Sequence, residues 1–244
     1  MSEPLIIVGG GLAGCEAAWQ AAENGISVQL YEMRPMLSTG AHRTDKLAEL
    51  VCSNSLGSKL KDRASGIIME ELRLLNSLLL NCAEKSAVPA GDALAVDREA
   101  FSQMVTEIIE KHPRIRVIRE EISEIPEGNV IMATGPLTSP HLSDSIKRLI
   151  GENQLYFYDA IAPLVYYDSI NMDIAFRGSR RHTLESNDDY INCPFTEDEY
   201  HEFIKALVDG ERVGLKEFET DVEHGVKAGE GKYFEGCLPV EIIA

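Results

Sequence analysis

The 244-residue chain predicts an α/β fold, a Rossmann-type dinucleotide-binding domain joined to a smaller α+β domain. Three observations carry that reading. The apolar run Leu5-Ile6-Ile7-Val8 leads directly into Gly9-Gly10-Gly11-Leu12-Ala13-Gly14. A stretch of helix formers then precedes a second apolar run, Ile26 to Tyr31, which ends in the acid Glu32. Further on, the apolar run Val130-Ile131-Met132-Ala133 ends in Thr134-Gly135.

Each part of the first unit has a physical reason. Gly9 permits a tight turn after the strand, Gly11 lets backbone approach a pyrophosphate, and Gly14 lets helix and strand pack closely. The free N–H groups and dipole of the helix N-terminus favour the phosphate charge. Glu32, at the end of the second strand, is placed to accept bonds from a ribose hydroxyl. A Gly-rich strand–helix turn without a ligand is the alternative for the glycines alone. The complete strand–turn–helix–strand–acid unit argues for FAD or NAD.

The chain beyond this unit reads as follows. Met33 to Ser65 shows little periodicity, and so long an irregular stretch in a compact domain points to function. Ile68, Leu72, Leu75 and Leu79 share one face of a single helix predicted between Gly66 and Ala83. Pro89 to Asp92 forms a turn, and Ala93 to Val96 a short strand. Asp97 caps a helix whose buried face is Phe101, Met104, Val105 and Ile108, and Pro113 ends it. Strands follow at Ile115 to Ile118 and Asn129 to Ala133, and Pro140 opens a helix at its first position. The Ala133-Thr134-Gly135 turn puts Gly135 at the carboxyl end of the sheet, where ligands bind in open α/β folds. From Leu155 the chain becomes aromatic, with strand-like Leu164 to Tyr167. Thr196-Glu197-Asp198-Glu199 is a capping box that opens a helix through Val208. These changes predict a dinucleotide-binding domain over 1–162 and an insertion or substrate domain over 163–244.

Composition narrows the function. The net charge is −17, of which residues 184–244 carry −11 and residues 1–183 carry −6. So acidic a chain does not fit a general nucleic-acid binder, because phosphate neutralisation supplies most non-specific affinity. An RNA partner would need a local basic surface: Arg177, Arg180 and Arg181 with His182, or Lys59, Lys61 and Arg63. Taken alone, each cluster reads first as a solvated face. The run at Ile6 is too short for a membrane span, and Glu3-Pro4 does not suit a signal peptide. A cytoplasmic protein with no membrane association is expected. Five widely spaced cysteines do not suggest a disulfide framework, and six scattered histidines give no metal spacing.

Two cysteines sit in settings that suit chemistry. Cys52 lies in the polar run Cys52-Ser53-Asn54-Ser55, and Cys237 lies between Gly236 and the Leu238-Pro239 pair. The commonest fate of a free cysteine is as a small buried hydrophobe, and that reading stands beside the chemical one. Cys15 and Cys82 fall on predicted helices and read as packing. Cys193 is ambiguous.

Several long segments resemble a known family. They are Leu30 to Pro35, Thr44 to Leu56, Val88 to Gly91, Ala93 to Arg98, Ala133 to Thr138 and Phe234 to Pro239. They are similar to the folate- and FAD-dependent tRNA uracil-5-methyltransferases, the small GidA-like flavoproteins called the TrmFO family. The resemblance covers the whole chain. It implies methylation of a T-loop uridine in tRNA, with carbon from methylenetetrahydrofolate and electrons from NAD(P)H through FAD.

The resemblance also assigns roles. Carbon 5 of uracil is a poor nucleophile until a thiolate adds to carbon 6. The family match puts that thiolate at Cys237, and a second, flavin-side cysteine at Cys52. The methylene group transferred to the ring then requires a hydride, which the family draws from reduced flavin. By the same analogy Asn54 and Ser55 lie near the cofactor, with Gly9, Gly11, Gly14, Glu32 and Gly135. Members of the family continue well past Ile243-Ala244, so the FAD domain is expected to be incomplete, with weak FAD binding and little activity alone. A second polypeptide supplying the remainder is one expectation and a non-catalytic dinucleotide-binding remnant another. The large GidA-like flavoprotein that modifies wobble uridines is the alternative enzyme.

Overall fold

The computed structural model describes residues 3–39, 41–51, 53–150, 165–178 and 189–210. The chain divides into two compact units, Met1–Leu155 and Tyr156–Ala244.

The first unit is built on a parallel sheet. Its strands are β1 (Leu5–Val8) and β2 (Val28–Glu32), then, after a small second sheet, β6 (Ile115–Arg119) and β7 (Val130–Met132). The second sheet comprises β3 (Ser55–Ser58), β4 (Ala87–Val88) and β5 (Ala93–Val96). The parallel strands lie in the order β6-β2-β1-β7, with Ile7 opposite Leu30 on one side and Ile131 on the other. The chain thus winds outward from β1 through β2 to β6, then returns to place β7 on the opposite side of β1. That reversal makes the carboxyl ends of β1 and β7 a topological switch point, where a crevice opens.

Helices α1 (Leu12–Glu23) and α4 (Arg98–Lys111) pack beside this sheet. Helix α1 buries Gly14, Cys15, Ala18 and Ala22, a face of small residues that lets it lie close to the strands. Strand β2 alternates, with Val28, Leu30 and Glu32 buried. Its apolar face therefore runs directly into a buried carboxylate. The small sheet is antiparallel in the order β3-β5-β4.

Two predicted faces are corrected here. The single helix expected between Gly66 and Ala83 is two helices, α2 (Ala64–Leu74) and α3 (Leu78–Lys85). Asn76 takes a left-handed φ of 52°, and the Ser77 side chain accepts the Leu80 N–H to start the second helix. The break changes which residues are covered: Met69 is buried, and Leu72 and Leu79 pack partly buried against the core as expected, while Ile68 and Leu75 are 53% and 62% exposed. The register therefore follows Gly66, whose absent Cβ would meet the Leu60 carbonyl oxygen at 1.9 Å.

In α4 the innermost positions are Phe101, Ser102, Val105, Thr106 and Ile109, with Met104 and Ile108 only half-buried. The face is rotated because Thr106 is needed inside. Its Oγ1 accepts the Leu47 N–H at 2.9 Å and donates to the Ser102 carbonyl at 2.7 Å.

Helix α5 (Pro140–Ile150) begins at proline as expected. In the second unit, a short hairpin pairs β8 (Phe176–Gly178) with β9 (Tyr190–Asn192), and α6 (Glu197–Asp209) starts at a complete Thr196–Glu199 capping box. The strand expected at Leu164 to Tyr167 is not seen over Val165 to Tyr167. Tyr167–Ser169 is a 3₁₀ turn, closed by the Ser169 N–H on the Tyr166 carbonyl. Those residues are exposed and pair with no strand among the described residues, which leaves the extended form without a ladder to stabilise it.

Candidate functional site

A cavity of about 290 Å³ opens at the switch point. Gly9, Gly11, Glu32, Arg34, His42 and Gly135 are among its walls. Strand β1 delivers the glycine turn, β2 delivers Glu32, and β7 delivers the Ala133-Thr134-Gly135 turn.

The glycines do different work. Gly9 has φ 106°, and a Cβ there would lie 2.5 Å from the Ala133 carbonyl oxygen. Gly14 would push a Cβ to 1.8 Å from the Gly9 carbonyl oxygen, so helix and turn touch backbone to backbone. Gly11 meets nothing within 4 Å, which leaves open space at the start of α1. No side chain caps α1, and its first turn holds no acid. This geometry fits a pyrophosphate: an open approach, uncapped N–H groups and a helix dipole of the right sign.

Glu32 is committed on both oxygens. Its Oε2 accepts the Gly10 N–H at 2.9 Å. Its Oε1 accepts the Arg34 backbone N–H at 3.0 Å and the Arg34 Nε at 2.8 Å. Burial would raise its pKa, but the Arg34 guanidinium and the Arg34 and Gly10 amides outweigh it. They hold the carboxyl below the usual carboxylate range. An ionised Glu32 is acceptor-only and suits a ribose hydroxyl.

Arg34 is the residue the sequence reading passed over. Its side chain is 2% exposed, and Nη1 donates to Glu49 Oε2 at 2.8 Å and to the Thr44 carbonyl at 3.2 Å. A charged side chain so deeply buried requires partners, and it has two carboxylates. The signal lay in the irregular stretch after β2, where Arg34, Thr44 and Glu49 fall within sixteen residues without forming an element. His42 joins them at the cavity, with Nδ1 2.8 Å from Thr39 Oγ1. Burial first, then the nearby Arg34 charge, lower its pKa.

The other predicted residues are distributed as follows. Gly14 sits behind the turn. Asn54 Nδ2 donates to the Val96 carbonyl at 3.0 Å, and Asn54 accepts the Val96 N–H in return. Ser55 opens β3 opposite Ala95. Neither is among the residues lining the cavity. Cys52 and Cys237 lie outside the described residues, as do Arg180, Arg181 and His182. Cys15 and Cys82 are buried, as packing requires, and Cys193 is exposed. The Cys15 thiol lies 3.3 Å from the Gly10 carbonyl, and burial pushes its pKa up to about 12. Among the described residues, no helix is long and apolar enough to cross a membrane.

Comparison with known proteins finds relatives along the whole chain. The chain is 52% identical, over its whole length, to a Brevibacillus brevis protein named methylenetetrahydrofolate--tRNA-(uracil-5-)-methyltransferase TrmFO, of which it covers 53%. It is 53% identical to a protein of the same name from Halalkalibacterium halodurans, again over its whole length and 54% of the relative. The chain thus spans about half the length of the curated relatives it matches. Among solved structures, Aquifex aeolicus GidA aligns with 55% of this chain and 25% of its own, at 18% identity and a TM-score of 0.44. The family model described as glucose inhibited division protein A matches residues 4–237. On that match, which takes in nearly the whole chain, the protein belongs to the glucose inhibited division protein A family.

Proposed function

We propose that this chain is the dinucleotide-binding part of a methylenetetrahydrofolate- and FAD-dependent tRNA uracil-5-methyltransferase. The observation that carries the proposal is the 50–53% identity to relatives of that name across the whole chain. The cavity at the glycine turn supports it, because its uncapped helix start and buried carboxylate suit a dinucleotide.

In this reading FAD binds along Gly9, Gly11 and Gly135, with Gly14 packing the helix and Glu32 accepting from ribose. Bound FAD supplies hydride, drawn from NAD(P)H, to a one-carbon unit taken from methylenetetrahydrofolate. Cys237 is the nucleophile toward carbon 6 of the uracil, and Cys52 acts on the flavin side. Asn54, bonded at both its backbone and its side chain to Val96 of β5, fixes the start of β3 on the small sheet. The substrate is tRNA in the cytoplasm, and a second polypeptide or the remaining half of the protein completes the enzyme. The dinucleotide domain spans 1–162 and the substrate domain 163–244.

The test measures flavin binding and 5-methyluridine separately. FAD fluorescence quenching by this chain is expected, as is 5-methyluridine in tRNA once the remaining half is supplied. Cys237→Ala is expected to keep FAD and lose methylation. A wobble aminomethyl product in place of 5-methyluridine would overturn the assignment.

A further inference from the structure

The geometry points to Arg34 as a positioning residue that makes the dinucleotide cleft and the loop over residues 42–49 a single cooperative unit. This rests on the proposed FAD site. The connection is a closed ring of hydrogen bonds around Gly10. On one path, the Gly10 N–H donates to Glu32, Arg34 Nε donates to Glu32, and Arg34 Nη1 donates to Glu49. Glu49 in turn accepts the Arg43 N–H at 3.0 Å, the Thr44 N–H at 3.3 Å and the Thr44 hydroxyl at 3.1 Å. On the return path, the Ala48 N–H donates to the Gly10 carbonyl at 2.8 Å. The Leu47 side chain closes over Gly10, at 2.5 Å from where a Cβ would stand.

Guanidinium geometry explains why arginine occupies this position. Its planar fork presents donors in fixed directions, so one side chain fixes two carboxylates relative to each other. With Arg34 2% exposed, the pair geometry is not loosened by water. A ligand that draws on Glu32 therefore orders Glu49 and the loop it holds. Conversely, an ordered loop keeps Glu32 aimed at the ribose. That loop runs into Leu50 and Val51, directly ahead of Cys52.

The experiment reads amide hydrogen exchange at Arg43, Thr44 and Ala48 in the 244-residue chain, with and without added FAD, together with the FAD dissociation constant. In the parent chain, FAD is expected to slow exchange at all three amides. In Arg34→Lys, which keeps the charge and loses the fork, the slowing should vanish and the dissociation constant should rise about tenfold. Thr44→Val, outside the cavity lining, should move both readouts in the same direction, and it stands in if Arg34→Lys does not fold. A purely structural Arg34 would speed exchange equally with and without FAD. That result, or parent-like affinity in both variants, overturns the inference alone. A parent chain that binds no FAD overturns the proposed function and this inference together.

Discussion

Arg34 Nε lies 2.8 Å from Glu32 Oε1, with both side chains almost wholly buried. The pair sits at the carboxyl end of β2, where the buried face of the strand passes from Val28 and Leu30 to a charge. Desolvating two ions is costly, and removing one partner leaves the other uncompensated. Arg34→Met is therefore expected to lower unfolding free energy by about 3–5 kcal/mol, measured by urea denaturation. The same pair sets an acid limit. Glu32 titrates below its ordinary range when folded, so its contribution is present above the unfolded carboxylate pKa. It is lost as pH falls through the depressed value, and Arg34→Met should flatten that part of the stability profile.

Two glycines in one motif are expected to fail differently. Gly14→Ala forces a methyl into the Gly9 carbonyl and should cost about 3 kcal/mol or more in stability. Gly11→Ala meets open space at an ordinary φ of −75°, so the melting temperature should stay near that of the parent. Its methyl occupies the pyrophosphate approach, and FAD affinity should fall at least about tenfold, a loss of about 1.4 kcal/mol. Thermal melts paired with flavin titration separate the two.

Cys15 predicts an alkaline limit. Folding keeps its thiol neutral, with the pKa raised from 9.0 to about 12 by burial and then by the Glu32 charge. The unfolded thiol ionises first, so stability from this group is complete below pH 9.0 and declines as pH rises toward 12. Denaturation of Cys15→Ala across that window should show a shallower decline than the parent. Alkylation at pH 8 should leave Cys15 unmodified in the folded chain.

The break between α2 and α3 has a local cause that can be measured. Asn76 holds φ 52°, and Asn76→Ala should cost about 1 kcal/mol, with Asn76→Gly near neutral. Ser77→Ala removes the acceptor for the Leu80 N–H and the hydroxyl donor to Glu16 Oε2, and should cost about 1 kcal/mol or slightly more. Equilibrium denaturation of the three variants checks the order.

The amino-acid sequence by itself determined the parallel sheet, the glycine turn and the acid at the end of β2. In each of these the local pattern and the tertiary requirement coincide: an apolar strand, a backbone that admits no Cβ at Gly9 or Gly14, and a carboxylate one strand away. The capping box at Thr196 and the proline at the start of α5 were legible for the same reason, since a cap acts within one turn. What only the tertiary structure decided lies in contacts between segments distant along the chain. The rotation of α4 answers to Leu47, fifty-nine residues before Thr106. The split of α2 from α3 answers to a left-handed Asn76 whose carbonyl accepts the Trp19 indole N–H. Arg34 and Glu49 lie in a stretch without periodicity, and no spacing marks them. Their roles arise because a buried carboxylate and a partly buried one share one cation between them, and only the folded chain brings all three together.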